Sequence, residues 1–142
     1  MSPAYAAYAS QLTSNSPLGS IMPGEPASQL LFNNETPGSG TASIAVAIAQ
    51  RPYTNGPTAV SLQFECPGGI GSGVFQIQDA DFDVAGDYTS IGFGGANPGT
   101  VATGNMNASG VARVELLVSA RFLRVLCVTA PGTPITVRAR QQ

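Results

Sequence analysis

The apolar residues of this chain stand in short stretches that alternate with polar residues, and glycine or proline separates one stretch from the next. Residues 60–66, VSLQFEC, show the pattern most clearly, because the even-numbered positions are apolar and the odd-numbered ones polar. In an extended strand, this alternation places one face in a core and the other in water. Short alternating segments bounded by turn residues are typical of sandwiches and barrels. The sequence therefore predicts an all-β fold, built as an antiparallel β-sandwich.

About eight strands are expected from residue 29 onward. The segments with the clearest pattern are residues 42–49, 60–66, 73–78, 88–93, 111–118, 121–129 and 134–140. The side chains predicted to face the core are Ile44, Val46, Ile48, Val60, Leu62, Phe64, Cys66, Leu123, Val125, Cys127, Ile135 and Val137. Residues 110–128 also fit a helical spacing, but their richness in valine and the alternation in residues 113–116, RVEL, favour strands.

Residues 42–49 alternate a branched aliphatic side chain with alanine along most of their length, so one face of this strand is bulky and the other nearly flat. A flat alanine face allows another layer or another chain to approach closely. A strand buried on both faces within one sandwich would show the same pattern, so both interpretations stay open.

The 142 residues allow one domain of ordinary size, or one domain with a long arm. Residues 1–27 have neither strand nor helical periodicity, and their four prolines oppose a regular helix. We interpret this segment as an extended arm and residues 28–142 as the sandwich domain. The predicted interface anchors of the arm are its large side chains Tyr5, Tyr8, Leu12 and Leu18. Simple disorder of the arm is an equally open interpretation.

The composition excludes most routes to catalysis. Charged residues make up 10% of the chain, where about 25% is usual, and histidine, lysine and tryptophan are absent. Serine or cysteine nucleophiles usually need a histidine or lysine base, and a zinc site needs more ligands than two cysteines, so we predict neither an enzyme nor a cofactor.

Charge and hydropathy likewise limit the partners. A net charge of −2 provides no basic stripe for DNA or RNA. No apolar stretch approaches the roughly 20 residues that span a bilayer. We therefore expect no direct contact with nucleic acid and no membrane partner. The first residues lack the basic and apolar regions of a secretory signal, so either the chain works where it is made or a leader has been removed.

Two motifs suggest ligands at first sight. Asp79, Asp81 and Asp83 would share one face if extended, but the segment lacks the glycine and glutamate of a helix-loop-helix calcium site. The glycine run at residues 68–73 leads into a predicted strand, whereas a phosphate cradle leads into a helix, so a hairpin or a long loop explains it. We assign no metal site, and cation binding by residues 79–87 stays an open question.

Cys66 and Cys127 both fall on predicted core faces, which favours buried thiols, while a disulfide between them would fit a secreted chain. Every basic residue is an arginine. Arg121, Arg124 and Arg138 stand on strands that we expect to be neighbours. We predict that they are interface cations, because a guanidinium group tolerates burial at an interface better than the ammonium group of lysine does. A solvated strand face is the alternative.

Two parts of the chain resemble small β-sandwich virion proteins of tailed bacteriophages. Residues 120–125, ARFLRV, and 132–137, GTPITV, resemble the closing hairpin of these proteins, and residues 75–81, FQIQDAD, followed by 87–89, DYT, resemble their middle hairpin. Small size and the arm make the chain most similar to capsid cement (decoration) proteins.

This resemblance implies a jelly-roll sandwich on the outer capsid surface of the virion, made in the host cytoplasm. It would bridge neighbouring copies of the major capsid protein, stabilise the expanded head and act as a homo-oligomer, a dimer in the first place or a trimer. A phage tail or receptor-binding module that binds carbohydrate is the alternative. It would need an exposed aromatic platform, for which Tyr53, Tyr88 and Phe93 are the candidates. A secreted or pilus-like sandwich with a Cys66–Cys127 bridge is a third hypothesis.

Overall fold

The computed structural model describes residues 28–49, 56–68, 71–93, 95 and 98–141. Over these ranges the chain forms nine strands: β1 Ser28–Glu35, β2 Val46–Ala47, β3 Thr58–Glu65, β4 Val74–Ala80, β5 Thr89–Ser90, β6 Thr100–Ala102, β7 Val111–Val118, β8 Phe122–Thr129 and β9 Ile135–Gln141. Two single-turn 3₁₀ helices, Ala85–Asp87 and Thr103–Asn105, lie in the connections. The all-β prediction is confirmed. No helix in these ranges is long and apolar enough to cross a membrane.

The strands form two antiparallel sheets with jelly-roll topology. The four-stranded sheet has the order β1-β9-β3-β7, and the five-stranded sheet the order β2-β8-β4, with β5 and β6 both pairing with the free side of β4. The first strand thus pairs with the last, the second with the next to last, and the third with β7. One long hairpin folded over into two sheets gives this order. As a result, β8 and β9 lie in different sheets.

The core lies between the two sheets and confirms all but one of the predicted inward residues. Phe32 and Phe64 from the four-stranded sheet meet Phe75 from the other, with ring centroids 6.2 and 6.0 Å apart. Both cysteines are fully buried in the same core. The segment 110–128 forms strands β7 and β8 and no helix, because its alternation gives each strand one buried side.

Ile44 is the exception, and a β-bulge explains it. Ala42 stands opposite Leu126 and Val46 opposite Leu123, so four residue steps on one side are matched by three on the other. The extra residue reverses which side chains point inward, and it leaves Ile44 64% exposed while Val46 and Ile48 are buried. Ser43 holds the irregular stretch, since its amide donates to the Val125 carbonyl (2.8 Å) and its hydroxyl accepts from the Val125 amide (3.0 Å). The predicted strand 42–49 therefore shortens to β2.

The glycine run forms part of the connection from β3 to β4, which passes from one sheet to the other and is not a hairpin. The fully buried Thr103 holds its second half, donating its hydroxyl hydrogen bond to the Gly71 carbonyl at 2.7 Å. The Thr103 amide donates to the Gly73 carbonyl at 2.9 Å. The run is therefore a structural crossing between the sheets.

Candidate interaction surfaces

The outer face of the five-stranded sheet carries almost no charge. Outward positions on β4 and β8 alternate with fully buried ones, and among them only Arg124 is ionisable. We call this surface the low-charge face; it comprises Ala42, Ile44, Ala47, Val74, Gln76, Phe122, Arg124, Leu126 and Val128, while the outward residues Gln78 and Ala80 are buried. Ile44 is 64% and Val128 44% exposed. Ala47 is exposed as well, so the alanine side of residues 42–49 is not buried within the sandwich.

Arg124 is tied to its own molecule by three contacts. Its Nε donates to Oε1 of Gln78, its register partner on β4, at 2.9 Å, and an Nη donates to the Ala85 carbonyl at 3.4 Å. Its guanidinium carbon lies 3.9 Å from the ring centroid of Tyr88, a cation–π contact. The Tyr88 hydroxyl in turn donates to Oδ1 of Asp83 at 2.8 Å. These contacts fold the loop after β4 against the low-charge face.

Tyr88 provides a pH-dependent test of this arrangement. Burial raises the pKa of Tyr88 to about 12, the hydrogen bond that its hydroxyl donates to Asp83 and the negative charge of Asp83 add to the rise, and the Arg124 charge opposes it. Because the folded-state pKa lies above the ordinary value of 10.0, the stabilisation is fully present below pH 10 and is lost as the pH rises from 10 towards 12. In an absorbance titration of the four tyrosines, we expect Tyr88 to ionise in a separate transition at higher pH than the ordinary value of 10.0.

In Tyr88→Phe, this late transition should disappear, and the free energy of unfolding should fall less steeply above pH 10 than in the parent protein. Denaturant titrations at several pH values measure that slope. Equal slopes in the two proteins, or simultaneous ionisation of all tyrosines, would contradict the contact.

The outer face of the four-stranded sheet contains a cationic concavity of about 140 Å³. We call it the arginine groove; it is lined by Ser28, Ser61, Gln63, Arg113, Arg138 and Arg140. The strand register explains the grouping, since Gln63 on the central strand β3 stands between Arg113 on β7 and Arg138 on β9. Ser61 stands between Arg140 on β9 and Glu115 on β7, so one carboxylate borders the arginines. Three of the six arginines therefore converge on one side of the molecule.

A second concavity, of about 250 Å³, is lined by Ala59, Val60, Glu115, Leu116 and Leu117. Ala59 precedes Ser61 by two residues on the same strand face, so this depression continues the arginine groove along β3 and β7. Leu117 at its rim is 69% exposed. We call it the apolar depression.

The acidic segment forms a loop because β4 ends at Ala80. Only Asp79 remains on the strand, where burial first and the charge of Asp81 second raise its pKa. Asp81, Asp83 and Asp87 are exposed on the loop, together with Phe82 at 69% and Val84. The segment is thus a solvated loop at a strand end, and the extended arrangement in which the three carboxylates would share one face is absent. Within the described ranges, no three His, Cys, Asp or Glu side chains are grouped closely enough to hold a metal ion.

The two cysteines are buried thiols in this structure and form no disulfide. The Cys66 sulfur lies 3.1 Å from the Thr133 hydroxyl, and the Cys127 thiol donates to the Thr129 carbonyl at 3.4 Å. Burial raises the pKa of the Cys127 thiol, which keeps it protonated and unreactive. Their positions fit core residues of the sandwich.

The structure separates the predicted interface cations. Arg138 lies in the arginine groove, Arg124 on the low-charge face on the opposite side of the sandwich, and Arg121 is exposed between β7 and β8. The expectation that their strands are neighbours is wrong, because the jelly-roll order sends β8 and β9 to different sheets. The groove residues Arg113 and Ser61 were missed. The alternation of polar and apolar residues predicts that Arg113 and Ser61 face outward, but only the pairing of β3 with its neighbouring strands shows that they lie in the same groove. The arm anchors Tyr5, Tyr8, Leu12 and Leu18 lie outside the described residues.

Comparisons with protein-family models, curated proteins and solved structures find no match to this chain.

Proposed function

We propose that this protein is a capsid cement (decoration) protein of a tailed bacteriophage. It binds the outer surface of the icosahedral head and bridges neighbouring copies of the major capsid protein, stabilising the expanded shell. The observation that carries the proposal is the low-charge face, a sheet surface with few charges and exposed aliphatic side chains. The loop after β4 lies over its β4 end and leaves open the side formed by residues 42–47 and β8. Such surfaces mark protein contact sites, since the centre of an interface is depleted in charge.

The low-charge face suits contact with a large, regular surface. Its alanines keep it flat on the β2 side, and Ile44 and Val128 protrude from it. A modest contact made by each copy is sufficient when copies are linked, because multivalent attachment multiplies weak affinities. The arm, residues 1–27, adds a second attachment by lying along a capsid subunit or pairing with a sheet edge.

The carbohydrate-binding alternative is less well supported. Jelly rolls occur among lectins as well as viral proteins, so the choice rests on the surfaces and not on the fold. Of the aromatics considered for a sugar platform, Tyr88 is only 8% exposed beneath Arg124, and Phe93 packs against the core. Tyr53 lies outside the described residues. Phe82 is exposed, but it stands on the acidic loop without a second ring beside it in the described part of the chain.

The test is binding to expanded phage heads that lack decoration, measured as copies per shell by sedimentation and densitometry. The unaltered protein should saturate at a number commensurate with the icosahedral lattice. Ile44→Glu should lower the bound copies at least about tenfold, because a carboxylate facing an apolar surface loses its hydration without a partner. Leu30→Glu is the control, as Leu30 is an exposed aliphatic residue of the opposite sheet that lines neither the arginine groove nor the apolar depression, and it should bind as the parent does.

A truncated variant that contains only residues 28–142 tests the contribution of the arm independently of the low-charge face. We expect it to fold and to lose attachment. Absence of binding by the unaltered protein would favour the tail or receptor-binding alternative, whereas equal loss in both glutamate variants would exclude the low-charge face as the contact surface.

A further inference from the structure

The arginine groove is built to receive carboxylates. Strands β7 and β9 flank β3 and stand roughly 9–10 Å apart, so their arginines extend over the shorter side chains of Ser61 and Gln63. Arg138 forms an ion pair with Glu65, with 3.4 Å between Nε and Oε1. Arg113 and Arg140 form no ion pair with any residue in the described ranges. Guanidinium groups bind carboxylates through paired hydrogen bonds, which makes such a cluster selective for acidic groups.

Ser61 gives the groove a polar floor. Its side chain is only 6% exposed and lines the groove, yet its hydroxyl makes no hydrogen bond within the part of the chain that the structure describes. No buried side-chain oxygen or nitrogen among the described residues is left without a hydrogen-bond partner. The Ser61 hydroxyl is therefore open to the groove, where it can donate to a carboxylate oxygen.

The chain itself carries a segment that complements this surface. Asp81 and Asp87 are exposed carboxylates, and Phe82 projects between Asp81 and Asp83. The arginine groove suits the carboxylates, and the apolar depression that continues it suits the phenylalanine. The loop of the same molecule folds against the low-charge face through Arg124, on the other side of the sandwich. The complementary loop must therefore come from another copy.

We infer that the loop of residues 81–87 of one copy docks in the arginine groove of a second copy, with Phe82 entering the apolar depression beside Leu117. The two contact surfaces differ, so the contact is heterologous, and in a pair one copy keeps its groove unused while the other keeps its loop unused. Repetition closes a ring or extends an array. The inference rests on the proposed function only in expecting that copies of this protein meet. Its test uses no capsid, so a failure of this inference can be distinguished from a failure of the proposed function.

The test is sedimentation of the purified protein in solution at concentrations up to about 1 mM, the weak limit of measurable association. The unaltered chain should associate, and more weakly as salt rises from 0.15 M towards 1 M, because screening acts on exposed charge pairs. The double variant Arg113→Gln/Arg140→Gln removes two of the three positive charges of the groove. The double variant Asp81→Asn/Phe82→Ala removes one carboxylate and the aromatic ring from the loop. Each should associate at least about tenfold more weakly. Arg121→Gln, an exposed arginine outside the groove, is the matched control and should associate as the parent does.

Mixing the two double variants makes the decisive measurement. The loop variant retains an intact groove and the groove variant an intact loop, so an equimolar mixture should form a one-to-one dimer that does not grow further. A monomeric parent protein would overturn the inference, as would equal weakening by Arg121→Gln or a mixture that stays monomeric. Binding of an unrelated acidic peptide by a monomeric parent would assign the groove to another partner.

Discussion

Replacing Phe75 with alanine is expected to lower the free energy of unfolding by about 3–5 kcal/mol. Phe75 is fully buried and contacts Phe32 and Phe64 of the opposite sheet, so its removal leaves a cavity that both sheets line. The three rings also lose edge-to-face and tilted contacts, which add to the loss of buried area. Thermal unfolding should show a melting temperature lower by on the order of 10 °C.

Phe82→Ala makes the same chemical change on the exposed loop and should alter stability by less than about 0.5 kcal/mol. The pair therefore separates burial from side-chain identity. A loss below about 1 kcal/mol for Phe75→Ala would mean that the sheets close over the gap, or that they are not packed through this ring cluster.

Gly110→Ala is expected to lower the free energy of unfolding by more than the about 1–2 kcal/mol that a left-handed residue costs alone. Gly110 has φ +72°, and its carbonyl accepts a hydrogen bond from the Cys66 amide at 2.7 Å. An added Cβ would collide with the Cys66 carbonyl, which is rigid backbone at the end of β3. Strain and collision therefore act together.

Two other glycines separate these causes. Gly132 has φ +75° with open space where a Cβ would lie, and Gly86 has open space and no positive φ. Denaturant unfolding of the three alanine variants should give losses in the order Gly110, Gly132, Gly86, the last near zero or slightly stabilising. Similar values for Gly110→Ala and Gly132→Ala would show that the approach to Cys66 is looser than the structure has it.

Side-chain alternation was a reliable guide where a strand is regular. Residues 111–118 form β7 with the bounds that the pattern predicts, and 60–66 differ from β3 by small shifts at the ends. Residues 42–49 failed because a bulge adds a residue within the strand, and a period of two contains no signal for this insertion. β6 was missed because three residues are too few to show alternation.

The surfaces were harder to predict than the strands. Alternation assigns a side chain to a face, but it does not say which strands are neighbours. Arg124 and Arg138 were therefore grouped although they lie on opposite sides of the sandwich. The arginine groove depends on the pairing of β3 with both β7 and β9, strands that follow it by dozens of residues along the chain.

The pairing of β1 with β9 sets the order in which the two sheets can form during synthesis. Among the described strands, β1 pairs only with β9, so it has no hydrogen-bonded neighbour until β9 has left the ribosome. β3 likewise lacks both of its partners, β7 and β9, until late. Such non-local pairing makes folding slow and leaves strand edges exposed meanwhile. The four-stranded sheet therefore cannot be completed before β9 has left the ribosome, and the arginine groove on its surface exists only from that point on.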